Sequence, residues 1–159
     1  MIYTKLPSYK FVLEIRQVQP QDIFSVIKIA YESLPEQYYP AVFNQFYESF
    51  PEGFLIAEQH HKIVGFIVGL KPDEEIAKVL LLSVTNDHRK KGIGTALLKR
   101  FLNAMKNQNI KKVELEVRTT NTVAIGFYKK HGFDVVDTLP NFYQNGEDAY
   151  TMKLVLRSY

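Results

Sequence analysis

A chain of 159 residues that is 46% hydrophobic and 13% aromatic can bury roughly two thirds of its unfolded surface, so one domain around one core is expected. The total lack of cysteine excludes a disulfide framework, a thiolate metal site and a cysteine nucleophile. The formal net charge of +3 is a weak pointer to an anionic ligand and gives no sign of a dedicated nucleic-acid binder; with no apolar run near the roughly 18 residues of a membrane span and no apolar leader in Met1 to Lys10, a soluble, cytoplasmic protein without a membrane role is expected.

Residues 1 to about 10 read as a loose extension. Phe11 to Val18 reads as a first strand, and Pro20 followed by Asp22 opens a helix with the apolar stripe Ile23, Val26, Ile27, Ala30 and Leu34. Pro35 and Pro40 are expected to end it, with a short second helix over Ala41 to Ser49. Phe54 to Gln59 and Ile63 to Leu70 read as a hairpin joined through His60, His61 and Lys62. Lys78 to Thr85 carries Val79, Leu80, Leu81, Leu82 and Val84, the pattern of a central strand covered on both faces. A helix with Ile93, Leu97, Leu98, Phe101, Leu102 and Met105 follows, then a strand from Lys112 to Val117 and a helix from about Thr122 to His131, capped by Gly132. Phe133 to Leu139 and Ala149 to Leu156 complete the order β-α-α-β-β-β-α-β-α-β-β, an α/β chain with a mixed sheet and helices on both faces. Nothing along it reads as a repeat or a linker.

Directly after the apolar strand, Arg89-Lys90-Lys91-Gly92-Ile93-Gly94-Thr95-Ala96 opens the long helix. Strand, basic glycine turn and helix suit a pyrophosphate: first-turn N–H groups lack internal partners, the helix dipole is positive there, and glycine lets the backbone approach phosphate oxygens. The spacing is neither Gly-x-Gly-x-x-Gly nor a P-loop ending in Gly-Lys-Ser/Thr, which weakens the dinucleotide and nucleoside-triphosphate readings. From the residues alone, an ordinary turn with a solvated basic patch is the alternative.

Arg89-x-x-Gly92-x-Gly94 resembles the Gln/Arg-x-x-Gly-x-Gly/Ala motif of the GNAT acetyltransferase superfamily. A second segment resembles the same family: Leu115-Glu116-Val117-Arg118-Thr119-Thr120-Asn121, then Ala124-Ile125-x-Phe127-Tyr128-Lys129-Lys130-x-Gly132-Phe133. The resemblance runs from about residue 12 to the end. It implies the GNAT fold, a mixed and mostly antiparallel seven-stranded sheet whose fourth and fifth strands splay apart, with acetyl-CoA as cosubstrate between them and no metal. It further implies that the backbone of Leu82, Ser83 and Val84 pairs with the pantetheine. The amides from Arg89 through Lys90, Lys91, Gly92, Ile93 and Gly94 to Thr95 would take the pyrophosphate, and Asn121 would contact the pantetheine. Asn121 is equally suited to cap a helix.

Acetyl transfer from a thioester needs a neutral amine, a donor for the oxyanion and a proton for the departing thiolate. An α-amine is roughly 10% neutral at pH 7, a lysine amine about one part in 2,500, so a moderate base serves a chain N-terminus. Alternation on its strand sends Glu116 out of the sheet on one face, and it resembles the glutamate base of the RimI type, which acetylates ribosomal protein N-termini. A solvated charge ladder with Glu114 and Arg118 is the competing reading. Tyr128 resembles the family's acid, its alternative being a packing role, and the Val84 N–H the oxyanion donor. None of the four histidines has metal-ligand spacing.

Ser33-Leu34-Pro35-Glu36-Gln37-Tyr38 and Asn141-Phe142-Tyr143-Gln144-Asn145-Gly146-Glu147-Asp148-Ala149-Tyr150 are similar to two loops of the catalytic subunit of the NatA type, which flank the entrance for a protein N-terminus. The resemblance implies peptide backbone bonds from Tyr38 and Tyr143, a wall for the first side chain from Leu34 and Pro35, and Glu36 as a second candidate base. The chain combines the NatA-type loop with the RimI-type glutamate, leaving the base to Glu36, Glu116 or a water held by both. A lysine or small-amine acetyltransferase and a non-catalytic acetyl-CoA-binding regulator are the competing classes, and Lys90, Lys91, Lys99, Arg100, Lys111 and Lys112 form a basic set compatible with work near a ribosome.

Overall fold

The computed structural model describes residues 12–157. The expected extension over residues 1 to 10, and Phe11 at the start of the first strand, lie outside them.

Strand β1, Leu13–Gln17, leads through a 3-10 turn at Pro20–Asp22 into helix α1, Ile23–Ser33. Asp22 closes this entry by accepting the Gln19 N–H at 2.8 Å, and it is only 5% exposed. Burial of a carboxylate is costly without a partner. Arg16 on β1 supplies one, with Nη1 and Nη2 at 2.7 and 3.1 Å from its two oxygens and Nε at 3.1 Å from Glu58. The Arg16 guanidinium holds the Asp22 carboxyl below the usual carboxylate range, against the opposing effect of burial and with help from the Gln19 amide. A depressed folded value means stability that is present above the unfolded carboxylate range, near pH 4, and lost as pH falls through the folded value. Asp22→Asn should therefore cost about 2 kcal/mol at neutral pH, with the gap from wild type closing as acid protonates Asp22, as read from urea midpoints.

Helix α1 buries Ile23, Val26, Ile29 and Ala30. Ile29 thus joins the expected stripe, Ile27 is only half-buried on its flank, and Leu34 caps the helix instead of extending it. Pro40 does not terminate this helix; it is the first residue of α2, Pro40–Ser49, where its fixed φ fits and its missing N–H costs nothing. Strands β2, Phe54–Gln59, and β3, Lys62–Leu70, pair antiparallel. Their loop is His60 and His61 alone, both at positive φ (53° and 60°), a geometry that matches the twist of the flanking strands and leaves Lys62 inside β3.

Strand β4, Ile76–Val84, is followed by α3, Ile93–Asn107, β5, Lys112–Arg118, α4, Thr122–Lys130, β6, Asp134–Leu139, and β7, Ala149–Val155. The sheet has seven strands in the order β1-β2-β3-β4-β5-β7-β6. β4 and β5 are parallel, while β1 with β2, β2 with β3, β5 with β7 and β6 with β7 are antiparallel. β4 is central as expected, but its residues alternate buried and half-buried: Ala77, Val79, Leu81 and Ser83 turn inward, whereas Lys78, Leu80, Leu82 and Val84 lie on a partly open face. The unbroken apolar run therefore does not mean cover on both sides.

The described chain divides into two compact units, residues 12–69 with Leu81–Ala104 and Leu70–Leu80 with residues 105–157. The first unit is built on Phe43, Phe54, Ile56, Phe66, Leu97, Leu98 and Phe101, all fully buried, with the Phe43 ring edge-on to Phe46 and Phe66 at 5.8 and 6.4 Å. Gly65 on β3 is obligatory here: a Cβ would lie 2.9 Å from the Ser83 carbonyl oxygen and 3.3 Å from Leu97. The second unit buries Val113, Leu115 and Val117 of β5 with Met152 and Ala149 of β7, Leu115 facing Met152 in the ladder.

Candidate active site

In the first unit, β4 ends at Val84 and the chain turns through a 3-10 segment, Asn86–His88, in which the Thr85 hydroxyl and His88 Nδ1 are 2.9 Å apart. Arg89 donates from Nε to the Val84 carbonyl at 3.0 Å, so its guanidinium braces the turn. Lys90 (φ 61°) and Gly92 (φ 82°) are both left-handed just before α3, a conformation of the kind that builds anion-binding backbone turns. Ile93 then buries its side chain, at 3% exposed, and anchors the helix, with Gly94 and Thr95 half-buried in its first turn. Lys90, Lys91 and Gly92 are exposed, and a Cβ on Gly92 would meet nothing within 4 Å. The glycine is thus required by its φ and leaves open space outside the turn, not inside it. A helix N-terminus preceded by a left-handed glycine turn and two exposed lysines fits a pyrophosphate.

The loop after α1 lies in the same unit. Leu34 is extended and donates its N–H to Ala30 at 3.0 Å, Pro35 is exposed, and Glu36 is half-buried. Tyr38 is half-buried with its ring edge-on to Phe43 at 6.3 Å, so the loop is anchored on the first core.

The second unit holds the other candidates. β5 alternates half-buried Lys112, Glu114, Glu116 and Arg118 with buried Val113, Leu115 and Val117. Its parallel ladder with β4 runs from Ile76 opposite Lys112 to Lys78 opposite Glu114. Lys78 Nζ forms an ion pair with Glu116 Oε1, so Glu116 is held from β4 and not by a ladder with Arg118. Asn121 caps α4, its Oδ1 accepting the Ala124 N–H at 3.1 Å. Tyr128 is 8% exposed, its ring edge-on to Phe127 and Phe133 at 5.2 and 5.5 Å, and burial pushes its phenol above the usual range. α4 closes with Gly132 at φ 92° and the Phe133 N–H on the Tyr128 carbonyl at 3.0 Å, which fixes the helix end beneath Tyr128.

The loop between β6 and β7 is braced throughout. Tyr143 N–H bonds the Glu147 carbonyl at 3.1 Å and Gly146 N–H the Tyr143 carbonyl at 2.9 Å. The Glu147 carboxylate accepts from Arg118 Nε at 3.2 Å, Thr120 Oγ1 at 3.3 Å and Asn145 Nδ2 at 2.8 Å. The Arg118 guanidinium lies 4.0 Å from the Tyr143 ring centroid, so one cation fixes both the loop and the tyrosine.

Residues 21–133 match the Acetyltransferase (GNAT) family. The chain belongs to the GNAT family of acetyltransferases. It is 37% identical over 150 residues to an N-alpha-acetyltransferase of Sulfurisphaera tokodaii, covering 87% of this chain and 90% of the relative. Among solved structures, Ard1 from Thermoplasma volcanium superposes with a TM-score of 0.89 at 41% identity, covering 92% of this chain and 99% of that one. Naa50 of Arabidopsis thaliana, in complex with the bisubstrate analogue CoA-Ac-MVNAL, superposes with a TM-score of 0.78 at 26% identity, covering 92% and 99%. The mixed, mostly antiparallel seven-stranded sheet expected of a GNAT protein is the one observed.

Within this GNAT chain, Leu34, Pro35, Glu36, Tyr38, Leu82, Ser83, Val84 and the turn from Arg89 to Thr95 belong to the first unit, and Glu116, Asn121, Tyr128 and Tyr143 to the second. Sequence reasoning passed over Lys78, the cation on Glu116. Its signal was a lone charge in an otherwise aliphatic strand. It also passed over Arg118 and Glu147 as a brace for Tyr143, a pairing only tertiary structure brings together. Among the described residues no group of three or more His, Asp or Glu side chains is arranged to hold a metal, and no helix is long and apolar enough to cross a membrane.

Proposed function

We propose that the protein transfers the acetyl group of acetyl-CoA to the α-amino group at the N-terminus of a polypeptide. The observation that carries this reading is the near full-length similarity to N-alpha-acetyltransferases, at 37% identity for the Sulfurisphaera protein. The site chemistry supports it. The left-handed Lys90 and Gly92 and the start of α3 offer amides for the pyrophosphate, and Leu82 to Val84 offer strand backbone for the pantetheine. The amine nitrogen attacks the acetyl carbon, the C–N bond forms as the C–S bond breaks, the amine loses a proton to base or water, and the sulfur leaves as a thiolate that takes a proton from water to give the CoA thiol. The Val84 N–H would stabilise the oxyanion, Glu116 or Glu36 would take the proton, and Tyr128 would donate a hydrogen bond to the sulfur. Leu34, Pro35, Tyr38 and Tyr143 would receive the chain end, and Asn121 would add its ligand contact to its capping role. The reading includes a cytoplasmic setting close to the ribosome, for which Lys90, Lys91, Lys99 and Arg100 of the first unit and Lys111 and Lys112 of the second would each supply positive charge.

One peptide containing a lysine, offered with a free and with a blocked N-terminus, tests the acceptor. Acetylation should fall on the α-amine and disappear with the block, the modified nitrogen being located by fragmentation mass spectrometry. Equal turnover of both forms would make the protein a lysine acetyltransferase. Arg118→Met should loosen Tyr143 and raise the peptide KM about tenfold while kcat and acetyl-CoA affinity hold, the pattern of lost uniform binding. A kcat loss without a KM change would place Arg118 elsewhere in the reaction.

A further inference from the structure

We propose that Lys78 is the positioning residue for the base: its ammonium holds the Glu116 carboxylate in one place, and catalysis by Glu116 depends on that restraint. The proposal rests on the acetyl-transfer reading above and deepens it. Three observations lead to it.

The first is the placement of the lysine. β4 turns Ala77, Val79, Leu81 and Ser83 inward at 0, 4, 6 and 7% exposure, and its other face carries Leu80, Leu82 and Val84 beside Lys78. Lys78 is the one charge in the strand Ile76–Val84. A half-buried ammonium among aliphatic side chains is destabilising unless a counter-charge meets it.

The second is the choice of partner. Lys78 stands opposite Glu114 in the ladder, yet its Nζ meets Glu116, two residues further along β5. On the other side of β5, Glu114 faces Lys153 of β7 while Glu116 faces Thr151, which carries no charge. Among the described residues, the β7 partner of Glu116 thus offers no cation, and its ion pair comes from β4.

The third is where this happens. The β4–β5 ladder has its last pair at Lys78 and Glu114, so Glu116 is the first outward-facing carboxylate beyond the paired stretch. A glutamate there has no ladder neighbour on the β4 side to limit its side chain, and the ion pair supplies that limit. With side-chain exposures of 29 and 17%, the pair is shielded enough to hold its geometry. Misplacing a reacting group by about 1 Å can cost on the order of 100-fold in rate. Restraint by Lys78 is therefore a rate-determining property of this site.

The test is a double-mutant cycle with acetyl-CoA and a free-N-terminus peptide, accompanied by melting temperatures and by acetyl-CoA affinity from calorimetry. Glu116→Gln should lower kcat about 100-fold. Lys78→Met should lower kcat about tenfold with acetyl-CoA affinity unchanged, and Lys78→Arg, which keeps the cation, should recover most of the loss. In the Glu116→Gln background, Lys78→Met should change kcat by less than about twofold, because the restraint then has nothing to act on. Equal losses from Lys78→Met in both backgrounds, with a lowered melting temperature, would overturn the proposal and leave Lys78 as a strand-stabilising residue. A Lys78→Met enzyme with wild-type kcat beside an impaired Glu116→Gln enzyme would overturn it as well. If Glu116→Gln keeps wild-type kcat, the base is elsewhere, and positioning by Lys78 falls while N-terminal acetylation stands. Should only lysine amines be acetylated, the acceptor reading falls and the same cycle is decided on a lysine peptide.

Discussion

Gly92→Val should weaken acetyl-CoA binding by about 100-fold or more, roughly 2.7 kcal/mol, while leaving a folded protein. Gly92 holds φ at 82°, a region that a β-branched residue occupies only with strain. The substitution meets no interior obstacle, since nothing lies within 4 Å of a Cβ at this position. Its effect on binding comes from the forced change of backbone, which redirects the amides that would meet phosphate oxygens, while the added methyl groups enter open space. The strain costs about 1 to 2 kcal/mol of stability, a shift of a few degrees in Tm for a chain of this size. Calorimetry of acetyl-CoA binding beside a melting curve separates the two effects. A protein that melts lower but binds acetyl-CoA as tightly as wild type would remove Lys90 to Thr95 from the cofactor site.

The glycine turn was legible in the sequence because its determinants are local: Gly92, Ile93 and the basic run before them are neighbours in the chain, and their spacing alone specifies turn then helix. The same holds for Asn121 and Gly132, which bracket α4 as its cap and its left-handed end. Strand existence was legible from period-two alternation, as at Val113, Leu115 and Val117. Register was not. Alternation places Glu116 on a face but does not say which cation on the next strand reaches it, and that depends on how β4 meets β5. Lys78 therefore stays hidden at the start of an aliphatic run, and the competing ladder of Glu116 with Glu114 and Arg118 fails because the Arg118 side chain turns to Glu147 and Tyr143. Pro40 misled for a different reason: proline both ends one helix and begins the next, and only the chain geometry around Tyr39 decides between these roles. Ile27 and Ile29 traded places because both fall within the width of an amphipathic stripe, and packing selects the one nearer its centre.

Tyr128→Phe should lower kcat about 10- to 1,000-fold with little change in acetyl-CoA affinity. The substitution keeps the ring that packs edge-on against Phe127 and Phe133 at 5.2 and 5.5 Å and removes only the hydroxyl. Burial raises the phenol above its ordinary value, so Tyr128 carries its proton at every pH where the enzyme works. That favours a donor and also limits what the donor does. A thiol loses its proton near pH 8.5, so full transfer from a buried phenol to a thiolate runs uphill, and stabilisation of the departing sulfur by an O–H hydrogen bond is the larger contribution. Tyr128 should then contribute no limb to the pH profile of kcat between about pH 6 and 9, and the loss in the phenylalanine variant should be the same factor throughout that range. Stability offers an independent check on the same burial. With a folded value raised above the unfolded one, near pH 10, the stabilising effect is complete below about pH 10 and is lost as pH rises toward the folded value. Wild type should lose stability in alkaline solution relative to Tyr128→Phe, which has no phenol at this buried position. A variant with the alkaline behaviour expected of lost burial but with wild-type kcat would leave Tyr128 as a core residue of α4 and assign stabilisation of the departing thiolate to water.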